Sequence, residues 1–222
     1  MFAQHQSQIA SFAANGPTAL AKVALLAIIS PRVPFWRAVR DCATESFGGH
    51  FGYKREAWRD WNANKVRHYG TLGELAAKGH HVDAVVYAAS RPGLGLAKAG
   101  FLLQCAWGFA GCLDTLNLDR LEIPYRLARA DACKRGSHHI RLCRAARYLD
   151  LCATLGGTEQ LWDQWCVHIL AQSQKPGHIR AGHSNHNRRR WESADHVSAG
   201  HCLALGLSAT WAKDETADII PW

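Results

Sequence analysis

Apolar residues recur along this chain at helical rather than strand spacing. From residue 22 to residue 30 the run Lys-Val-Ala-Leu-Leu-Ala-Ile-Ile-Ser is apolar almost all round, and Pro31 and Pro34 end it, which predicts a buried helix. Phe35, Trp36, Val39 and Cys42 form a stripe with arginines opposite, so a second helix is expected over 35–46. Glycines 48, 49 and 52 read as a loop. Residues 56–69 continue as one helix with Trp58 and Trp61 on a shared face, and Thr71 caps a short helix ending near Gly79. Residues 81–89 fit helix or strand locally. The turn Pro92-Gly93-Leu94-Gly95 follows, and Ala97, Ala99, Leu102 and Leu103 give helical spacing up to about Gly108.

Beyond it, 115–121 and a long basic segment over 124–155 keep the helical pattern. Gly156-Gly157-Thr158 reads as a stop followed by a cap, and 159–172 is amphipathic with Trp162 and Trp165. After Pro176 the composition turns polar and basic, so a His/Arg-rich exposed loop is expected over 176–192, then a helix over 193–207. The fold class is mainly α, and no internal repeat of fixed period is visible.

The turn carries the candidate chemistry. A helix that starts straight after two glycines presents bare backbone N–H groups, and these suit a phosphate oxygen. Asp114 follows in the apolar setting of Cys112 and Leu113, an unusual place for a solvated carboxylate. A Gly-x-Gly turn with a later acid also fits a dinucleotide-binding unit. However, Lys98 stands at the third glycine position of that fingerprint, and no alternating strands surround it. No Gly-Lys-Ser/Thr ends the turn, which excludes a P-loop. A purely structural helical turn is the remaining plain reading.

Pro92-Gly93-Leu94-Gly95-x-x-x-Ala99 together with Leu113-Asp114-Thr115 resembles the helix-hairpin-helix DNA glycosylase superfamily, whose members include endonuclease III. In that family a hairpin Leu-Pro-Gly-Val-Gly-x-x-x-Ala precedes a Val-Asp-Thr-His that holds the catalytic aspartate, at the spacing found here. The resemblance covers 85–121 closely and 22–170 by helical pattern. It implies two helical lobes around a cleft. One lobe is 22–110 with the hairpin, and the other combines 1–21 with 111–222. Asp114 would be the catalytic acid, and Gly93, Leu94, Gly95, Lys98, Thr115 and Arg120 would meet DNA. Bifunctional members carry an attacking lysine two residues after the second hairpin glycine, and here that position is Ala97. The implied mechanism is therefore a monofunctional base excision with water as nucleophile. Leu116 replaces the family histidine. The same superfamily includes viral enzymes that displace pyrophosphate from a modified thymine and attach an amine, so a base-modifying transferase is an alternative. A non-catalytic DNA-binding relative is another.

Charge is consistent with an anionic partner: Lys and Arg exceed Asp and Glu by enough to give +8. Arg120, Arg126, Arg129, Lys134, Arg135, Arg141, Arg144 and Arg147 recur over one stretch, and Arg188 to Arg190 form a run. The eight cysteines, at 42, 105, 112, 133, 143, 152, 166 and 202, include no Cys-x-x-Cys and lack the close spacing of the family's iron–sulfur loop. No cofactor is expected, and the spacing of His178, His183, His186, His196 and His201 matches no zinc site, so no metal is expected either. Cysteines in apolar helices fit reduced thiols and a cytoplasmic location, the host cytoplasm if the chain is viral. The apolar run 23–29 is too short to span a bilayer and no signal peptide is visible, so no membrane partner is expected. The resemblance implies DNA as the partner, and a monomer is expected.

Overall fold

The computed structural model describes residues 3–31, 33, 35–114, 118, 134–173 and 194–207. Every regular element among them is an α-helix: α1 (Ala3–Ala14), α2 (Pro17–Ile29), α3 (Phe35–Ala43), α4 (Gly52–Ala63), α5 (Lys65–Ala77), α6 (His81–Ala89), α7 (Leu96–Trp107), α8 (His138–Thr154), α9 (Gly157–Ser173) and α10 (Ala194–Ala204).

Two helices form the centre, and their sequences explain why. α2 begins with Pro17 at its first turn, where a missing N–H costs nothing, and buries Leu20, Ala21 and everything from Val23 to Ile29. A helix without a polar face has to be surrounded. α1, α3, α4, α5 and α7 pack around it. α7 is buried in the same way from Ala99 to Ala106, with α1, α2 and α6 against it. α8 rests on α6, and α10 lies against α3, α9 and α1. The apolar cluster is continuous from Ile9 in α1 to Leu205 beyond α10.

Several boundaries differ from those expected. The helix expected over 56–69 is two helices that meet at Asn64, whose side-chain Nδ2 donates to the Asp60 carbonyl at 2.9 Å and competes with continued helix. Thr71 is therefore interior to α5 rather than a cap. Thr158 does not precede α9 but lies in its first turn. Its hydroxyl bridges the carbonyls of Gly108 and Ala110 at 3.0 and 3.1 Å. Ala3–Ala14, which carried no helical expectation, is helix. Thr115 and Arg120 lie outside the described residues. So do Arg126, Arg129, Cys133 and the basic loop 176–192.

Candidate functional site

α6 and α7 pack on each other and are joined by the expected turn. Ser90 ends α6 with its hydroxyl on the Tyr87 carbonyl at 2.8 Å, and the Arg91 guanidinium lies 4.7 Å over the Tyr87 ring. Gly93 has φ +73, and a Cβ there would run into Ala57 of α4 and touch Ile28 of α2. The fold itself thus requires this glycine, whatever approaches from outside. Leu94 is buried and plugs the turn into the core. Gly95 is the extended residue before α7, and the Ala99 N–H closes the first helical bond onto its carbonyl at 2.8 Å.

Lys98 faces inward. Its Nζ donates to Ser30 Oγ at 3.0 Å and stands 6.0 Å from the ring centre of Trp165 in α9. The prolines explain why Ser30 is there. Pro31 has no N–H for the Ala27 carbonyl, and Ser30 Oγ donates to that oxygen instead, at 3.4 Å. The carbonyls of Ile29 and Pro31 both receive Lys54 Nζ at 2.6 Å, from a side chain with no exposed surface. One end of α2 is thereby fixed from α4 by Lys54 and from α7 by Lys98.

Asp114 is the last residue of a segment held extended by side chains rather than by a sheet. α7 ends at Gly108 in the left-handed conformation, and Ala110 also has positive φ, at 69°. Gln104, fully buried, receives the Cys112 N–H at Oε1 and donates from Nε2 to the Thr158 carbonyl, at 3.2 and 2.9 Å. Tyr148 of α8 donates to the Gly111 carbonyl at 2.6 Å and accepts from the Leu113 N–H at 3.1 Å. Gly100 admits this segment, because a Cβ there would overlap the Gly111 carbonyl and the Tyr148 hydroxyl. Asp114 emerges from the clamp partly exposed, and its carbonyl accepts from the Leu118 N–H at 2.9 Å as the chain turns onward.

Asp114 and Lys98 meet electrostatically at the Cys112 thiol. Burial pushes that thiol up to about 12, while Lys98 pulls it down and Asp114 pushes it further up. Burial likewise holds the Tyr148 hydroxyl in its neutral form. The Cys112 and Tyr148 side chains that pack the clamp are therefore uncharged, and Lys98 is a cation that acts on the same thiol as Asp114.

Gln104, Tyr148, Lys54 and Ser30 carried no functional expectation in the sequence. Neither did Asp41, whose carboxylate is 1% exposed. Burial alone would raise its pKa, but hydrogen bonds from Arg40, His50 and Arg37 hold it below the ordinary value. Such partners are distant in sequence or on the far side of a loop, and only a periodic lapse of polar residues into apolar faces would have signalled them. Of the basic stretch, Lys134, Arg135, Arg144 and Arg147 are exposed and Arg141 is half-buried. Among the described residues no three His, Cys, Asp or Glu side chains are placed to hold a metal ion. His201 is enclosed by Phe35, Trp162 and Phe101. No helix among the described residues is long and apolar enough to cross a membrane. No family model, curated protein or solved structure matches the chain.

Proposed function

We propose that the protein is a DNA-acting enzyme of the helix-hairpin-helix glycosylase type, excising a flipped base with water activated at Asp114. The observation that carries this reading is the clamped segment 108–113, which delivers one partly exposed carboxylate, Asp114, whose charge acts with that of Lys98, from the helix after the turn, on the Cys112 thiol. A base leaving deoxyribose leaves positive charge on the sugar. A fixed carboxylate stabilises that charge and takes the proton of the incoming water, whose oxygen bonds to C1′ as the base departs. The base must first leave the stack, at a cost of a few kcal/mol.

In this reading the Gly93–Gly95 backbone approaches a phosphate, and Lys98, Thr115 and Arg120 add charge and hydrogen bonds along the strand. Such contacts set affinity without reading sequence. Ala97 stands where bifunctional enzymes place an amine, so the reaction stops at the abasic site.

The test is product analysis on DNA with wild type and Asp114→Asn. Wild type should release free base, leave the strand intact and resist borohydride trapping. Asp114→Asn should lose turnover by at least about a hundredfold while DNA affinity stays within about twofold. Full activity in Asp114→Asn removes the acid and the proposal with it. Trapping at Lys98 overturns the monofunctional mechanism, and an enlarged nucleoside retained in the strand identifies a transferase instead.

A further inference from the structure

Seven cysteines lie among the described residues, and six of them are buried. Burial pushes the thiols of Cys42, Cys112, Cys152 and Cys202 up to about 12, and that of Cys105 well above its ordinary value. Cys143 is the exception, exposed on α8. Its Sγ stands 3.6 Å from Nε2 of His139, one turn earlier and also exposed. A neutral imidazole nitrogen at that distance accepts the thiol proton.

Helix geometry accounts for the placement. Ala145, Tyr148 and Cys152 form the buried face of α8. At about 100° per residue, Cys143 is turned at least about 140° away from each of them. His139 and Arg147, four residues to either side, share its outward face, and Arg147 is exposed. Lys134, Arg135 and Arg144 are exposed as well, and Arg144 Nη1 donates to the Arg135 carbonyl at 3.1 Å. Asp150 also lies on the outward face, but it is two turns from Cys143, about 10 Å along the axis, with Arg147 between them. The charge nearest the sulfur along this face is therefore positive.

We propose that Cys143 is a modification site, at which His139 and Arg147 direct exchange with a small anionic disulfide of the glutathione class. The thiol proton passes to His139 Nε2 as Sγ attacks one sulfur of the disulfide. A new S–S bond forms, the old one breaks, and the departing thiolate leaves with that proton. Cys143 is oxidised and the departing half is reduced, so the disulfide itself is the oxidant. Arg147 meets the carboxylates of the incoming molecule and raises its concentration at the sulfur. This site is independent of the proposed action on DNA.

The experiment incubates the native protein with glutathione disulfide (anionic), hydroxyethyl disulfide (neutral) or cystamine (cationic). Intact mass counts the adducts and peptide mapping locates them. Each rate is divided by that of the same reagent with N-acetylcysteine amide, a neutral thiol, so that only the contribution of the protein remains. Glutathione disulfide should add once per chain, at Cys143, and Cys143→Ser should take up none. Its normalised rate should exceed that of cystamine at least about threefold, and added salt should narrow the gap. Arg147→Gln should slow glutathione disulfide about threefold and leave hydroxyethyl disulfide within about 1.5-fold. His139→Gln should slow all three reagents about tenfold, because it removes the proton acceptor and not the charge. All three side chains are exposed, so these variants keep the core intact. An adduct on another cysteine, or an unchanged rate in His139→Gln, overturns the site. Equal normalised rates for the anionic and cationic reagents, or no effect of Arg147→Gln, overturns the selection for an anionic disulfide.

Discussion

Buried polar side chains set the geometry here, and three of them, Lys54, Gln104 and Tyr148, answer backbone groups. Lys54 serves carbonyls at the end of α2, and Gln104 and Tyr148 serve a segment that belongs to neither helix nor sheet. Asp114 and the glycines of the turn were legible because their neighbours are local. Lys54 and Tyr148 were not, because a lysine in a helical pattern and a tyrosine in a basic stretch look solvated until the chain folds. Tyr148→Phe tests what this arrangement is worth. It strips partners from the Gly111 carbonyl and the Leu113 N–H, two buried groups that should together cost about 2–4 kcal/mol of stability. Urea melts measure that loss. Under the proposed base excision, single-turnover assays should find base release slowed while DNA affinity holds, since Tyr148 is buried behind Asp114. A loss below about 0.5 kcal/mol would mean that Gln104 and Thr158 hold the segment without Tyr148.

At the scale of elements, the helices most readable in sequence are those whose apolar pattern suffices. α7 follows two glycines and was placed nearly to the residue, and α2, apolar all round, was placed at its end but begins at Pro17 rather than at residue 22. The α4–α5 boundary was missed because Trp58, Trp61 and the residues beyond Asn64 keep helical spacing across the break. The break is made by a side chain bonding backward to Asp60, which periodicity does not encode. The α6–α7 turn was read as a phosphate grip, yet Gly93 is already explained by α4 packing. Gly93→Ala meets two separable obstacles, a positive φ and the Ala57 methyl. The left-handed backbone costs about 1–2 kcal/mol and the overlap about 1–3 kcal/mol. Ala57→Gly in the same chain should restore the overlap share and leave the backbone share, which a double-mutant cycle resolves as a coupling of 1 kcal/mol or more on the order of magnitude. Additive effects would mean that α4 does not touch the turn in solution.

Across the whole molecule, a net charge of +8 accompanies a core whose buried histidines and thiols are held in their neutral forms. His201 carries the clearest consequence. Burial lowers it from 6.5 to about 4, with the cations nearby adding to the effect and the Val197 carbonyl opposing it. His68, stacked on Trp61 with its centre 4.4 Å away, is lowered in the same direction by burial and by Arg91. A histidine whose folded value lies below its unfolded one takes up protons preferentially when unfolded. Stability is therefore fully present above pH 6.5, falls as pH drops through the window to about 4, and loses no more to this group below it. That displacement corresponds to about 3 kcal/mol for His201. Urea denaturation from pH 7 down to pH 4 should trace that decline at constant ionic strength. His201→Phe keeps a ring among Phe35, Phe101 and Trp162 but removes the proton site, and should flatten the profile to the smaller slope left by His68. An unchanged slope in that variant would place the titrating group elsewhere and show that His201 is reached by water in the folded chain.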